Sequence, residues 1–121
     1  MKLELEAGAA LTVRSWRPGE LRIGKDTWRE PVLLSPEEVR PWPLKDDEPV
    51  TLEILAPLID GQPDVIILGT GETQRFPDHE LGMQLLNRGI GLEVMDTGAA
   101  CRTYNVLASE GRAVAAALRI R

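Results

Sequence analysis

The sequence predicts an α/β fold with an open sheet, on three observations. The apolar run Val65-Ile66-Ile67-Leu68 passes directly into Gly69-Thr70-Gly71, the form of a buried strand ending in a tight turn. A second apolar run around Leu92-Glu93-Val94-Met95 follows a helix-like segment, and strand, helix and strand over about 30 residues make a βαβ crossover. Asp96-Thr97 then sets two capping side chains in succession ahead of an Ala-rich stretch. In open α/β sheets the loops at the carboxyl ends of the strands form the natural crevice. The loops after Leu68 and Met95 are therefore where a site is expected, provided that the two strands are parallel neighbours.

The totals exclude several classes. A chain of 121 residues has room for one core, so a single domain over 1–121 is expected. Its net charge of -5, with basic residues scattered along the chain, argues against nucleic acid as a partner, because phosphate binding needs a concentrated basic surface. The single cysteine, Cys101, cannot form an internal disulfide, which fits a reducing compartment. The alternating Met1-Lys2-Leu3-Glu4-Leu5-Glu6 has no signal core, and the apolar run from Ala113 to Leu118 is far shorter than the roughly 20 residues of a membrane span. A cytoplasmic chain without membrane insertion is the expectation.

Taken in order, residues 1–43 read as a meander of three or four short antiparallel strands, with Arg17-Pro18-Gly19 and Gly24-Lys25-Asp26 as turns and Val32-Leu33-Leu34 as the last candidate. Ser35-Pro36-Glu37-Glu38 has the form of a capping box, which predicts one or two helical turns before Pro41. Trp42, between two prolines, is expected to pin the meander to the rest, and Lys45-Asp46-Asp47-Glu48 to be an exposed connection. Leu52, Leu55, Ala56 and Ile59 form a helical stripe with Thr51 as cap and Gly61 as stop. Pro77-Asp78 opens a helix whose Leu81, Leu85 and Leu86 face inward, closed by Gly89. Thr97 is placed to cap a helix to Glu110, with Gly111 closing it. The tail from Arg112 to Arg121 reads as a strand with Val114, Ala116, Leu118 and Ile120 on one face, although its alanines also suit a helix.

Candidate ligand-binding residues are Gly69, Thr70, Gly71, Arg75, Asp96, Thr97, Arg102 and Asn105. Glycines let backbone N–H groups turn toward an anion. The dinucleotide fingerprint and the P-loop lysine are both missing, so a turn requiring positive φ is the preferred reading of Gly69-Thr70-Gly71 over ligand binding. Arg75 and Arg102 either clamp a carboxylate or phosphate or, for Arg102, pair with Asp96 or Glu72. Tyr104 is expected to be buried with its hydroxyl satisfied, Asn105 to bond to the glycine turn, and Cys101 to be an inert buried thiol. With one histidine, His79, neither a metal site nor a Ser-His-Asp arrangement is supported. No catalytic residue and no cofactor is predicted.

Ile66-Ile67-Leu68-Gly69-Thr70-Gly71, Gly89-Ile90-Gly91-Leu92-Glu93-Val94-Met95-Asp96-Thr97 and the long stretch from Ala99 to Arg112 together resemble the family of the mitochondrial respiratory complex I assembly factor three and its uncharacterised bacterial and archaeal relatives. The resemblance implies a three-layer fold: a central mixed, largely parallel sheet flanked by helices, with an additional N-terminal antiparallel β-layer. It also implies a non-catalytic assembly or interaction factor whose protein partners are subunits of a respiratory or other membrane-bound complex. The rival reading from the residues is a small-anion or nucleotide-binding protein, a binding module or an enzyme, with its pocket at the strand ends.

Overall fold

The computed structural model describes residues 9–121, so the Met1–Glu6 alternation lies outside the described residues. Five strands form the central sheet in the order β5-β4-β8-β6-β7: β4 is Val32–Leu34, β5 Val39–Pro41, β6 Val65–Gly69, β7 Gly91–Met95 and β8 Val114–Leu118. The sheet is mixed, with β8–β6 and β6–β7 parallel and β5–β4 and β4–β8 antiparallel. A second sheet, β1-β2-β3, is antiparallel and comprises Val13–Arg17, Glu20–Ile23 and Asp26–Trp28. Among the described residues three helices complete the fold, α1 Ala56–Asp60, α2 His79–Leu86 and α3 Thr97–Ser109.

Period-two alternation sorts the central sheet into two faces, both buried. Val32 and Leu34, Ile67, and Val114, Ala116 and Leu118 face one core, which is closed by α3 and the three-stranded sheet. Leu33, Ile66 and Leu68, and Ala115 and Ala117 face the other, which is closed by α1, α2 and Trp42. The result is the expected three layers. The tail is a strand, and the face that the sequence assigned to it, Val114, Ala116, Leu118 and Ile120, packs as one group. Its alanines fit because β8 lies at the centre of the sheet, where a short side chain lets layers above and below approach.

Three local expectations are corrected and one is narrowed. The meander has the lower of the two expected strand numbers, three, because Val32–Leu34, a strand as expected, pairs with β8 and joins the central sheet. Ser35-Pro36-Glu37-Glu38 is a hairpin turn between β4 and β5: the Ser35 N–H donates to the Glu38 carbonyl at 2.9 Å, and the Glu38 N–H to Ser35 Oγ at 3.3 Å. A Ser side chain that accepts from a backbone N–H three residues on serves a turn as well as a helix start. Thr51 Oγ1 receives the Ile54 N–H at 3.4 Å, but α1 itself starts later, at Ala56, with no side-chain cap. Leu86 faces solvent at 66 % exposure while Leu81 and Leu85 are buried, since only two positions of so short a helix reach the sheet.

Trp42 is 1 % exposed in the core under α1 and α2, so it fixes the chain leaving β5 against the helical layer, not the meander. Its indole N–H and that of Trp28 are buried without an acceptor among the described residues, a polar cost set against the area that each ring buries. Ala116 is fully buried and lies between Leu34 and Ile67 across the sheet. Ala116→Leu is expected to lower unfolding stability by about 1–3 kcal/mol through overpacking, read by urea denaturation. An unchanged midpoint would show spare volume at this position.

Candidate functional site

The two strand ends meet as required. β6 and β7 are parallel neighbours with Gly69 opposite Met95, and the ladder continues past both strands: the Thr70 N–H donates to the Met95 carbonyl at 2.9 Å, and the Thr97 N–H to the Gly71 carbonyl at 2.8 Å. Gly69, Thr70, Gly71, Asp96 and Thr97 are thereby brought into one cluster. Asp96, not Thr97, is the N-cap of α3, its Oδ1 accepting the Ala99 N–H at 2.9 Å. An acidic cap also suits the positive end of the helix dipole.

Thr97 is released for another task. It is completely buried, and its Oγ1 accepts the Gly71 N–H at 2.8 Å while donating to the Arg119 carbonyl at 2.7 Å. Thr70 Oγ1 closes its own turn in the same way, donating to the Thr73 carbonyl at 2.6 Å and accepting the Arg75 N–H at 3.0 Å. Residues 119–121 run past this cluster. The Arg119 N–H bonds to the Gly69 carbonyl at 2.9 Å, and the Ile120 carbonyl receives both the Gly19 N–H at 2.8 Å and Trp16 Nε1 at 3.1 Å.

The glycines serve this close approach. Gly71 has φ +99°, and a Cβ there would overlap the Arg121 carbonyl. A Cβ on Gly69 would come within 2.9 Å of both Leu118 Cδ2 and Thr97 Oγ1. At the strand-end turn, then, the Arg121 backbone fills the space beside Gly71, and the Thr70, Gly71 and Thr97 N–H groups are bonded within the chain.

The other candidates diverge from the cluster. Asn105 bonds to β1, not to the glycine turn: Oδ1 accepts the Val13 N–H and Nδ2 donates to the Val13 carbonyl, both at 2.8 Å. One residue earlier, the buried Tyr104 hydroxyl donates to the Leu11 carbonyl at 2.7 Å. These side chains dock the three-stranded sheet on α3, and the 100° step between consecutive helical residues lets them serve adjacent targets. Arg102 is exposed, and among the described residues it makes no ion pair with Asp96 or Glu72.

The Arg75 side chain borders a small hollow of about 150 Å³ shared with Asp46, Asp47, Arg119 and Arg121. Sequence reasoning passed over Arg119. Its guanidinium donates to the Asp46 carbonyl at 2.9 Å and the Glu48 carbonyl at 2.6 Å, gripping the Lys45–Glu48 connection. Burial first, and then the neighbouring Arg75, lower its pKa below the usual arginine range. A cation directly after an all-apolar strand was the available signal.

Nucleophilic chemistry is poorly provided for. Burial pushes the Cys101 thiol up to about 12, with Arg102 opposing and Asp96 adding to the rise. Burial likewise raises Tyr104, with Glu37 as a lesser contributor. No group of three His, Cys, Asp or Glu side chains among the described residues is arranged to hold a metal ion.

A mixed five-stranded sheet between a helical layer and a layer shared by α3 and a small antiparallel sheet defines an α/β domain whose strand-end turns bond to its own chain. The family described as "Protein of unknown function (DUF498/DUF598)" matches residues 13–119, and the chain belongs to that family. It is 34 % identical over 118 residues to NADH dehydrogenase [ubiquinone] 1 alpha subcomplex assembly factor 3 of Danio rerio, covering 96 % of this chain and 68 % of that protein. It spans 64 % of the length of the Homo sapiens protein of the same name. An uncharacterised protein of Rhodobacter capsulatus is 38 % identical over 109 residues, with 90 % of this chain and 84 % of that protein covered. Among solved structures, a Bordetella parapertussis protein superimposes with a TM-score of 0.87 at 34 % identity, over 95 % of this chain and 99 % of that one. The likeness read from the Gly69-Thr70-Gly71 and Ala99–Arg112 stretches thus extends along nearly the whole chain.

Thr97→Val retains the shape but leaves the Gly71 N–H and the Arg119 carbonyl without this partner. A loss of about 2–4 kcal/mol in urea denaturation is expected, with Thr97→Ser losing less. Equal losses in the two variants would assign the effect to packing and not to the hydroxyl. The Cys101 thiol adds a pH dependence: the folded chain keeps the proton to about pH 12 while an unperturbed thiol releases it near 9.0, so this contribution is complete below pH 9 and declines as pH rises through that window. Unfolding free energy should fall less steeply there in Cys101→Ala. Parallel slopes for the two chains would count against it.

Proposed function

We propose that this chain is a non-catalytic assembly factor that holds a protein partner while a respiratory or other membrane-bound complex is built. The observation that carries the proposal is the 34 % identity, along 96 % of the chain, to a protein named as an assembly factor of NADH dehydrogenase. The site geometry supports the same reading. Backbone N–H groups that a phosphate would need are bonded to Thr97 and to neighbouring strands, and the one thiol is buried and protonated. The small-anion alternative has less support: of its eight residues, Asn105 bonds to β1 instead of the glycine turn, and Arg102 is exposed on α3.

No helix among the described residues is long and apolar enough to cross a membrane. The proposed place of action is the cytoplasmic side of the membrane, reached through the partner. Nucleic acid is no part of the reading, given the net charge of -5. Deleting the gene in its own organism is expected to reduce mature NADH dehydrogenase, seen by native gel electrophoresis and NADH:quinone activity in membranes, with restoration by the wild-type gene. Unchanged amounts and activity of every respiratory complex would overturn the proposal.

A further inference from the structure

The two ends of the central sheet differ in how they are protected. At one end β5 has three residues and finishes in Pro41, which offers no N–H, so little can be added to it. At the other, β7 has five residues and no proline. The Gly91 N–H donates to the Asp64 carbonyl, and the Met95 carbonyl accepts from Thr70, so residues 91, 93 and 95 turn their backbone groups toward β6. In a parallel ladder the alternate residues, Leu92 and Val94, then turn theirs outward. The Val94 carbonyl meets only a side chain, Gln74 Nε2 at 3.0 Å. The Leu92 N–H and carbonyl and the Val94 N–H have no protein partner among the described residues.

Apolar surface gathers beside this open edge. Of the four exposed large hydrophobic residues among those described, Phe76, Met83 and Leu86 lie on α2 or the segment entering it, at 76 %, 54 % and 66 % exposure. Gln74 ties that segment to Val94, and Gly82 sits over Leu92, whose Cδ2 lies 4.0 Å from where a Cβ would be. Met83 and Leu86 are i and i+3 and occupy one side of the helix. Exposed Glu93 stands between the two outward-turned residues; on the neighbouring segments Glu72, Asp78 and Glu80 are exposed, as are Arg75 and Arg88, so the surroundings are acidic on balance.

We infer that β7, with the Phe76–Met83–Leu86 surface, is where the assembly partner docks, as an extended segment that adds a sixth strand to the sheet. The inference rests on the assembly-factor reading and specifies its contact surface. The occupant is a strand of a different polypeptide, apolar at alternate positions and carrying Lys or Arg opposite Glu93. Strand addition supplies main-chain bonds for affinity, and side chains on alternate positions supply selectivity. The charge selects against a second copy. An antiparallel β7 pair that joins Leu92 to Val94 sets Glu93 directly opposite its own equivalent, and like charges there repel.

The test is an amide NMR titration of the full chain with a synthetic ten-residue peptide alternating Val and Lys, compared with a Val/Glu peptide and with a Val/Lys peptide interrupted by proline. The largest shifts are expected at the Leu92 and Val94 amides, with the Lys peptide binding roughly fivefold or more tightly than the Glu peptide. The proline peptide should lose binding, and Glu93→Lys should reverse the charge preference. Phe76→Ser with Leu86→Ser should weaken binding without altering the remainder of the spectrum. No shift at Leu92 and Val94 at millimolar peptide overturns the inference, as does undiminished binding of the proline peptide. Concentration-dependent self-association through β7 would give the surface to a second copy and overturn it too. In the deletion strain, full restoration by a chain carrying Phe76→Ser, Leu86→Ser and Glu93→Lys would sink this surface while leaving the assembly role intact. A deletion without any defect would sink the assembly role itself.

Discussion

The hydroxyl of Thr97 joins three parts of this protein that are distant in sequence. It receives the N–H of Gly71 from the turn after β6 and gives its proton to the carbonyl of Arg119 beyond β8, while its own backbone opens α3. The side chain is completely buried, and the Gly71 N–H that it accepts is shielded from water with it. Gly69 makes room for it, since a Cβ there would come within 2.9 Å of Thr97 Oγ1. From this point the central sheet, the helix above it and the returning chain are held in one register. A crevice that in many α/β proteins would face a ligand is here a joint.

The second joint lies farther along α3. Asn105 satisfies both backbone groups of Val13, and Tyr104 reaches Leu11, so the three-stranded sheet is attached to the helix through polar bonds as well as through Val13, Leu21 and Ile23 in the core. Thr103-Tyr104-Asn105 is a poor helical sequence for this reason: its side chains were selected for targets beyond the helix. Together the two joints account for most of the residues that looked chemically interesting. Their polarity serves tertiary bonding, and the exposed edge of β7 and the apolar side of α2 are among the surfaces that take no part in it.

Much of the fold was legible in the residues. β6, β7 and β8 follow from apolar runs between glycines, and the helix starting near Thr97 follows from Asp96 and the alanines after it. These signals are local, since burial of a short strand and capping of a helix depend on neighbours within a few positions. The inert character of Cys101 and the burial of Tyr104 were also readable. Ser35-Pro36-Glu37-Glu38 was misleading because one capping pattern serves a helix start and a hairpin turn, and the outcome depended on β8 arriving to pair with β4.

Sequence alone determined the fold class and the position of the strand-end turns, because each follows from patterns that repeat within a turn of helix or a few residues of strand. Tertiary structure decided what those turns do. Whether Gly71 and Thr97 face a ligand or the chain's own Arg119 and Arg121 is a matter of which segment crosses the strand ends, and the residues concerned are more than twenty positions apart. No local pattern encodes that crossing. It comes from β8 lying between β4 and β6, which brings the tail out beside the turn that a bound anion would have needed.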